Sequence, residues 1–191
     1  MRGLMQDWPL LCHSVIEHAA REHGQRRIVT RSVEGPIEVT NYAQIHRRAR
    51  RVSDRLVADG IRGADRVGTL AWSTARHLEC WYGIAAIGAV YHPVNPRLFP
   101  DQIVYIINEA GDRVLLVDLS FVGLLEGIAD RLPQVERYII LTDRAHMPDT
   151  CLRNAVPYEE WIEGGDERHV WKSFDENTAA SLVYTLSLIH I

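Results

Sequence analysis

The chain has 191 residues, 47% hydrophobic and 24% charged, an ordinary globular composition that excludes a disordered tail. Lysine plus arginine number 21 against 25 acidic residues, a net charge of -4 with a pI near 6.1, so no overall positive field gathers nucleic acid or anionic lipid. Cys12, Cys80 and Cys151 are far apart, with no CxxC pair to suggest a zinc or redox motif, and read as reduced cytosolic thiols.

In chain order, the first residues lack the apolar run of a secretory signal, and no stretch approaches the ~18 apolar residues of a membrane span, which reads as a soluble, cytoplasmic protein. A helix is predicted from Leu10 to Glu22, with Pro9 suited to its first turn and Gly24 to the position past its end. Arg27 to Val33 and Ile37 to Thr40 are rich in β-branched residues and flank Glu34-Gly35-Pro36, which predicts a β-hairpin. An amphipathic helix follows. Asn41 and Gln44 have capping-box spacing, Ile45, Ala49, Val52 and Leu56 share a face, and Gly60 supplies the stop.

The pattern then alternates. Val67 to Ala71, Val90 to Val94, Val114 to Val117 and Tyr138 to Leu141 are compact apolar runs that read as strands. Ala75 to Gly88, Asp101 to Ala110 and Phe121 to Leu132 carry helical periodicity between them, and the segment around Trp81 is apolar nearly all round. Continuous apolar strands are covered on both faces, so the array predicts an α/β fold with a parallel sheet. Thr142 to Asp175 reads as polar surface connection apart from a short helical segment near Tyr158 to Ile162, and Ala179 to Thr185 resumes a strand pattern.

Catalytic motifs are sparse. His13, His18 and His23 are spaced by fives, on no common helical face, and there is no HExxH, so surface or core histidine is the preferred reading. Arg47, Arg48, Arg50, Arg51 and Arg55 fall mostly opposite the apolar face of their helix, with Asp54 and Asp59 among them, and read as a solvated face. His92-Pro93-Val94-Asn95-Pro96-Arg97 stands at the carboxyl end of a predicted strand, where open α/β sheets place ligands, although its prolines equally suit a rigid strand exit. A dinucleotide-binding dehydrogenase is disfavoured because Gly60, Gly63 and Gly68 do not form G-x-G-x-x-G, and neither G-x-x-x-x-G-K-[ST] nor G-x-S-x-G occurs.

Several segments, in order and spacing, carry a resemblance. They are Met5 to Leu10, Thr40 to Ile45, Asp65-Arg66-Val67, Gly88 to Leu98, Asp112 to Asp118 and Asn177 to Ala180 leading to Val183-Tyr184-Thr185. Together they resemble the opening part of the AMP-forming acyl-CoA synthetases, in the branch acting on medium- and long-chain fatty acids and on 3-methylthiopropionate. The resemblance implies a partial AMP-binding N-terminal domain over residues 1–185, an incomplete portion of that family's layered parallel sheet. Residue 64 is alanine where the family places a glycine before Asp-Arg-Val.

In that family a residue like Thr185 opens a loop of Ser, Gly, Thr, Thr and Gly, followed by proline and lysine, that holds the ATP phosphates. Here Leu186-Ser187-Leu188-Ile189-His190-Ile191 follows instead. A phosphate cradle needs inward-turned backbone N–H groups, hence glycine, so residues 186–191 read as a non-native tail. The resemblance therefore implies an ATP-, Mg2+- and CoA-dependent ligase of carboxylic acids as the parent protein, a homodimer when complete, with the chain alone inactive and without cofactor. Of the family's site residues only Thr185 carries over. The alternative is a non-catalytic α/β binding or interaction module on the same scaffold.

Overall fold

The computed structural model describes residues 4, 7–35 and 37–184. Its centre is a five-stranded, wholly parallel sheet built from β3 (Arg66–Leu70), β4 (Val90–Pro93), β5 (Val114–Val117), β6 (Arg137–Ile140) and β7 (Val156–Pro157) in the order β4-β3-β5-β6-β7. Ahead of it come α1 (His13–His23), the antiparallel hairpin of β1 (Arg27–Arg31) and β2 (Ile37–Asn41), and α2 (Tyr42–Ala58). The crossovers carry α3 (Ala75–Ala85), α4 (Pro100–Ala110) and α5 (Val122–Glu126), and α6 (Tyr158–Glu163) follows β7.

Period-two alternation sorts the core into layers. Leu115, Val117, Tyr138 and Ile140 point into a cluster with Ile103, Ile107 and Leu125 of α4 and α5. Val114, Leu116 and Ile139 point the other way, against Val52 and Leu56 of α2, Ile84 of α3 and Ile162 of α6. The predicted three-layer arrangement is thus present. A smaller cluster, with Ile16, Ile45, Ala49 and Trp171, seats α1 on α2.

Local chemistry sets the helix ends. Asn41 caps α2, its side chain accepting from the Gln44 N–H at 2.9 Å, and Thr74 caps α3 by accepting from His77. Pro100 opens α4, and Gly111 closes it at φ +68, a left-handed conformation that suits glycine.

Four predicted elements differ. The first helix starts at His13, leaving Pro9 outside it. Phe121 to Leu132 is broken into a 3-10 turn, α5 and a second 3-10 turn, with Gly123 inside α5 and Gly127 at its end; Phe121, Leu125, Ile128 and Leu132 are still buried, so the periodicity reported the buried face and not helix continuity. Thr142 to Asp175 is not merely surface connection. It holds β7, whose proline suits an edge strand, and it buries Leu152, Tyr158, Trp161, Ile162 and Trp171. Finally, the predicted strand at Ala179 forms one parallel bridge, Ser181 to Tyr91, beside β4, and Thr185 lies outside the described residues.

Gly83 lets α3 approach α2 closely. A Cβ there would stand 2.6 Å from Val52 Cγ1 and 2.8 Å from the Ala49 carbonyl oxygen, while the Gly83 carbonyl accepts from Ser53 Oγ at 2.7 Å. Gly83→Ala gains up to about 1 kcal/mol of helix propensity but overpacks the seam at a cost of about 1–3 kcal/mol. The variant is expected to be less stable in chemical denaturation, and equal or greater stability would contradict this seam.

Candidate functional site at the carboxyl edge of the sheet

The chain leaves β3 for α3 on one face and leaves β5 for α5 on the other, so β3 and β5 form a topological switch point. Open α/β sheets bind ligands in the crevice at the carboxyl ends of such strands. Here that crevice is filled by side chains of the chain itself. Trp72 stacks on Phe121 with ring centroids 5.0 Å apart and donates from Nε1 to Ser120 Oγ at 3.1 Å. Asp118 is buried beside them, and burial pushes its carboxyl above the usual range.

Next to this stack lies a cluster of three carboxylates and two guanidinium groups. Glu34, from the tip of the hairpin, accepts from Arg76 Nη1 and from Thr142 Oγ1. Burial is the largest single influence on Glu34 and opposes ionisation, yet the hydrogen bonds from Arg76, its own backbone and Thr142, with the charge of Arg76, together hold its carboxyl below the usual range. Arg76 also donates to Glu159 Oε1 at 2.8 Å and to the Leu141 carbonyl at 3.0 Å, so it ties the hairpin to the end of β6 and to α6. Arg48 of α2 donates to both oxygens of Glu159, at 3.0 and 2.9 Å, and to Glu79 at 2.8 Å, with its guanidinium over the Tyr158 ring.

Glu79 is 2% exposed and accepts from the Tyr158 hydroxyl at 2.7 Å. Burial pushes its pKa up to about 7, against the pull of Arg48 and Tyr158.

The adjoining cavity, of about 480 Å3, is lined by Arg47, Arg48, Arg51 and Arg76 but also by Glu38, Glu159 and Glu167. Arg51 is paired with Glu167 at 3.0 Å, so of the four arginines only Arg47 has an uncommitted head group among the described residues. The predicted solvated arginine face is accordingly corrected. Segments far ahead in the chain cover it: Arg48 and Arg51 are matched by carboxylates and Arg50 lies over Trp171. These residues do not fit a triphosphate, because the crevice presents Glu34 and Asp118 and its guanidinium groups are already neutralised. Among the described residues no three metal-ligating side chains converge.

The His92 segment takes the form of a rigid strand exit. His92 and Asp112 are wholly buried with Nδ1 and Oδ2 2.7 Å apart, and burial raises the Asp112 carboxyl despite the imidazole. Gly68, their neighbour in register, leaves the space: a Cβ there would stand 2.9 Å from Asp112 Oδ2. His92 faces the Tyr184 ring, centroids 5.5 Å apart, while Tyr91 donates from its backbone N–H to the Ala180 carbonyl and accepts from the Leu182 N–H. On the opposite face the Tyr91 hydroxyl meets His77 Nε2 at 2.8 Å. His77 Nδ1 must donate to the Trp72 carbonyl 3.0 Å away, so Nε2 accepts, and desolvation lowers the imidazole pKa. Tyr91 and His92 thus fix the segment that leads toward Thr185.

Glu34, Arg76, Glu79, Tyr158 and Glu159 escaped the sequence reading. The one available signal was Glu79, a carboxylate within a helix otherwise apolar on nearly every side.

Comparison with known proteins follows the same outline. The family model described as AMP-binding enzyme matches residues 16–185. A 3-methylmercaptopropionyl-CoA ligase of Ruegeria lacuscaerulensis is 45% identical over 185 residues, covering 97% of this chain and 34% of the relative. A medium-chain-fatty-acid–CoA ligase of Ectopseudomonas oleovorans is 36% identical over the same length and the same shares. An anthranilate CoA ligase solved in complex with anthranoyl-AMP superposes with a TM-score of 0.81 at 20% identity, over 97% of this chain and 34% of that one, which shows the fold. The chain spans about a third of the length of these relatives.

Two outcomes test the cluster. Glu79 has an ordinary pKa of 4.5 when unfolded and about 7 when folded, so the folded state holds the extra proton between those values. Its contribution to stability is complete below about pH 4.5 and lost as pH rises through about 7. Glu79→Gln is therefore expected to flatten the fall in unfolding free energy over that interval, and an unchanged slope would refute the assignment. Arg76→Ala strands Glu34 and Glu159 and is expected to cost about 3 kcal/mol in urea unfolding, where a loss under ~0.5 kcal/mol would show the cluster to be incidental.

Proposed function

Since the chain belongs to the AMP-binding enzyme family, we propose that it forms the first part of an ATP-dependent acid–thiol ligase acting on a fatty acid or another small carboxylic acid such as 3-methylthiopropionate. In this chemistry the carboxylate oxygen attacks the α-phosphorus of ATP and pyrophosphate leaves. The thiol of CoA then attacks the acyl carbon, forming the thioester as AMP departs. Two anions meet in the first step, so it calls for Mg2+, lysine and oriented backbone dipoles.

The reading rests on one observation, the continuous similarity to acyl-CoA ligases along 97% of the chain. It assigns residues 1–185 to a partial AMP-binding domain, Thr185 to the first position of the phosphate loop and residues 186–191 to a non-native tail. ATP, Mg2+ and CoA belong to the complete protein, which we take to be a homodimer. The catalytic groups are placed in sequence this chain does not carry, and the chain alone is inactive. Support comes from the carboxyl edge, where Arg48 and Arg76 are spent on carboxylates, and from the six residues after Thr185, which include no glycine.

Incubation of the purified chain with ATP, Mg2+, CoA and either octanoate or 3-methylthiopropionate is expected to give no acyl-adenylate or thioester by mass spectrometry, and no Mg2+-dependent ATP binding at micromolar concentration. A reading frame extended through an intact glycine-rich loop and the remaining domain is expected to give both products. Acyl-adenylate made by the 191-residue chain, or none made by the extended protein, would overturn the proposal.

A further inference from the structure

A second cleft lies at the opposite end of the sheet, where β3 and β4 begin. Its volume is about 370 Å3, within the ~300–1,000 Å3 of small-molecule sites. Ile61, Ala86 and Trp171 line it and are buried, and Trp171 is held in place by donating from Nε1 to Ser53 Oγ at 2.8 Å. Val57 and Val170 stand on its rim 48% and 73% exposed, so the apolar surface continues to the mouth.

Charge at the mouth is one-sided. Arg62 and Lys172 line the cleft, both exposed, and neither cationic head group has a partner among the described residues. The third basic group, His169, is engaged by Asp54 at 3.1 Å. Arg48, Arg51, Arg76 and Arg113, by contrast, each meet a carboxylate. Uncommitted cations beside a buried aromatic floor complement a ligand with an apolar body and one negative head.

We propose that this cleft binds a small amphipathic carboxylate, its chain against Val57, Ile87 and Val170 over the floor made by Trp171, and its head at Arg62 and Lys172. The site is separate from the carboxyl edge and does not depend on nucleotide binding. Its ligand resembles in chemistry the acids proposed as substrates, so it is suited to sensing or holding such an acid away from the reacting centre.

Lys172 is the one lysine of the chain. Reductive methylation with 13C-formaldehyde, which keeps the positive charge, therefore places a single side-chain reporter at the cleft beside the N-terminal amine. Titration with decanoate below its micellar concentration is expected to shift the dimethyl-Lys172 signal saturably, with decanol and acetate each at least about tenfold weaker. Arg62→Glu, an exposed substitution that leaves the core intact, is expected to weaken decanoate by about tenfold or more. A motionless Lys172 signal, equal affinity for decanoate and decanol, or no effect of Arg62→Glu would each overturn the site. ATP titrated in the same samples reports separately on the ligase reading, since either result there leaves the decanoate outcome unchanged.

Discussion

Five charged side chains withdrawn from water at one end of the sheet set the terms for much of this fold. An ion moved into a protein interior loses several kcal/mol of hydration that only close, hydrogen-bonded partners restore. Glu34, Glu79 and Glu159 find those partners in Arg48 and Arg76, and each belongs to a different element: the hairpin, α3 and α6, with α2 supplying Arg48. None of these elements can shift alone without exposing an unmatched charge to its neighbours. The arrangement therefore helps fix where the hairpin sits over the carboxyl edge, a position to which apolar contact contributes through Ile28, while Val29, Ile37 and Val39 remain exposed.

With three carboxylates against two guanidinium groups, the cluster carries one negative charge more than it can neutralise. The excess is relieved at Glu79, where hydration is poorest and burial favours the protonated, neutral carboxyl. The Tyr158 hydroxyl donates to that side chain and favours its ionised form, working with Arg48 against burial. Carboxylates also account for most of the positive charge in the adjoining arginine-lined cavity, where Arg48, Arg51 and Arg76 are each paired.

Much of the architecture was legible in the sequence because strand and helix periods are local properties. Val114 to Val117 and Tyr138 to Leu141 are uniformly apolar, and both are strands covered on two faces. The hairpin and the cap at Asn41 were readable for the same reason. Phe121 to Leu132 misled because a stripe of apolar residues marks a buried face whether or not the backbone between is one helix. The polar stretch after Thr142 misled because burial there depends on a few large side chains, Tyr158, Trp161 and Trp171, that local composition averages away. The charged cluster was invisible for a stronger reason: pairing is a property of tertiary neighbours, and Arg48 meets Glu159 across 111 positions. His92 stood out by its place at a strand exit, and its partner Asp112 and the room left by Gly68 became apparent only in three dimensions.

The span of that cluster also bears on how the chain is made. Glu34 leaves the ribosome early, yet Thr142 follows it by 108 residues, and the Glu159 that completes Arg76 comes later still. At ~5–20 residues per second, synthesis holds the hairpin without its anchor for several seconds or longer. During that interval Glu34 and Arg76 lack Thr142 and Glu159, the later groups that complete their hydrogen bonding. The order of the sequence therefore makes final seating of the hairpin a late event, completed only once α6 has emerged.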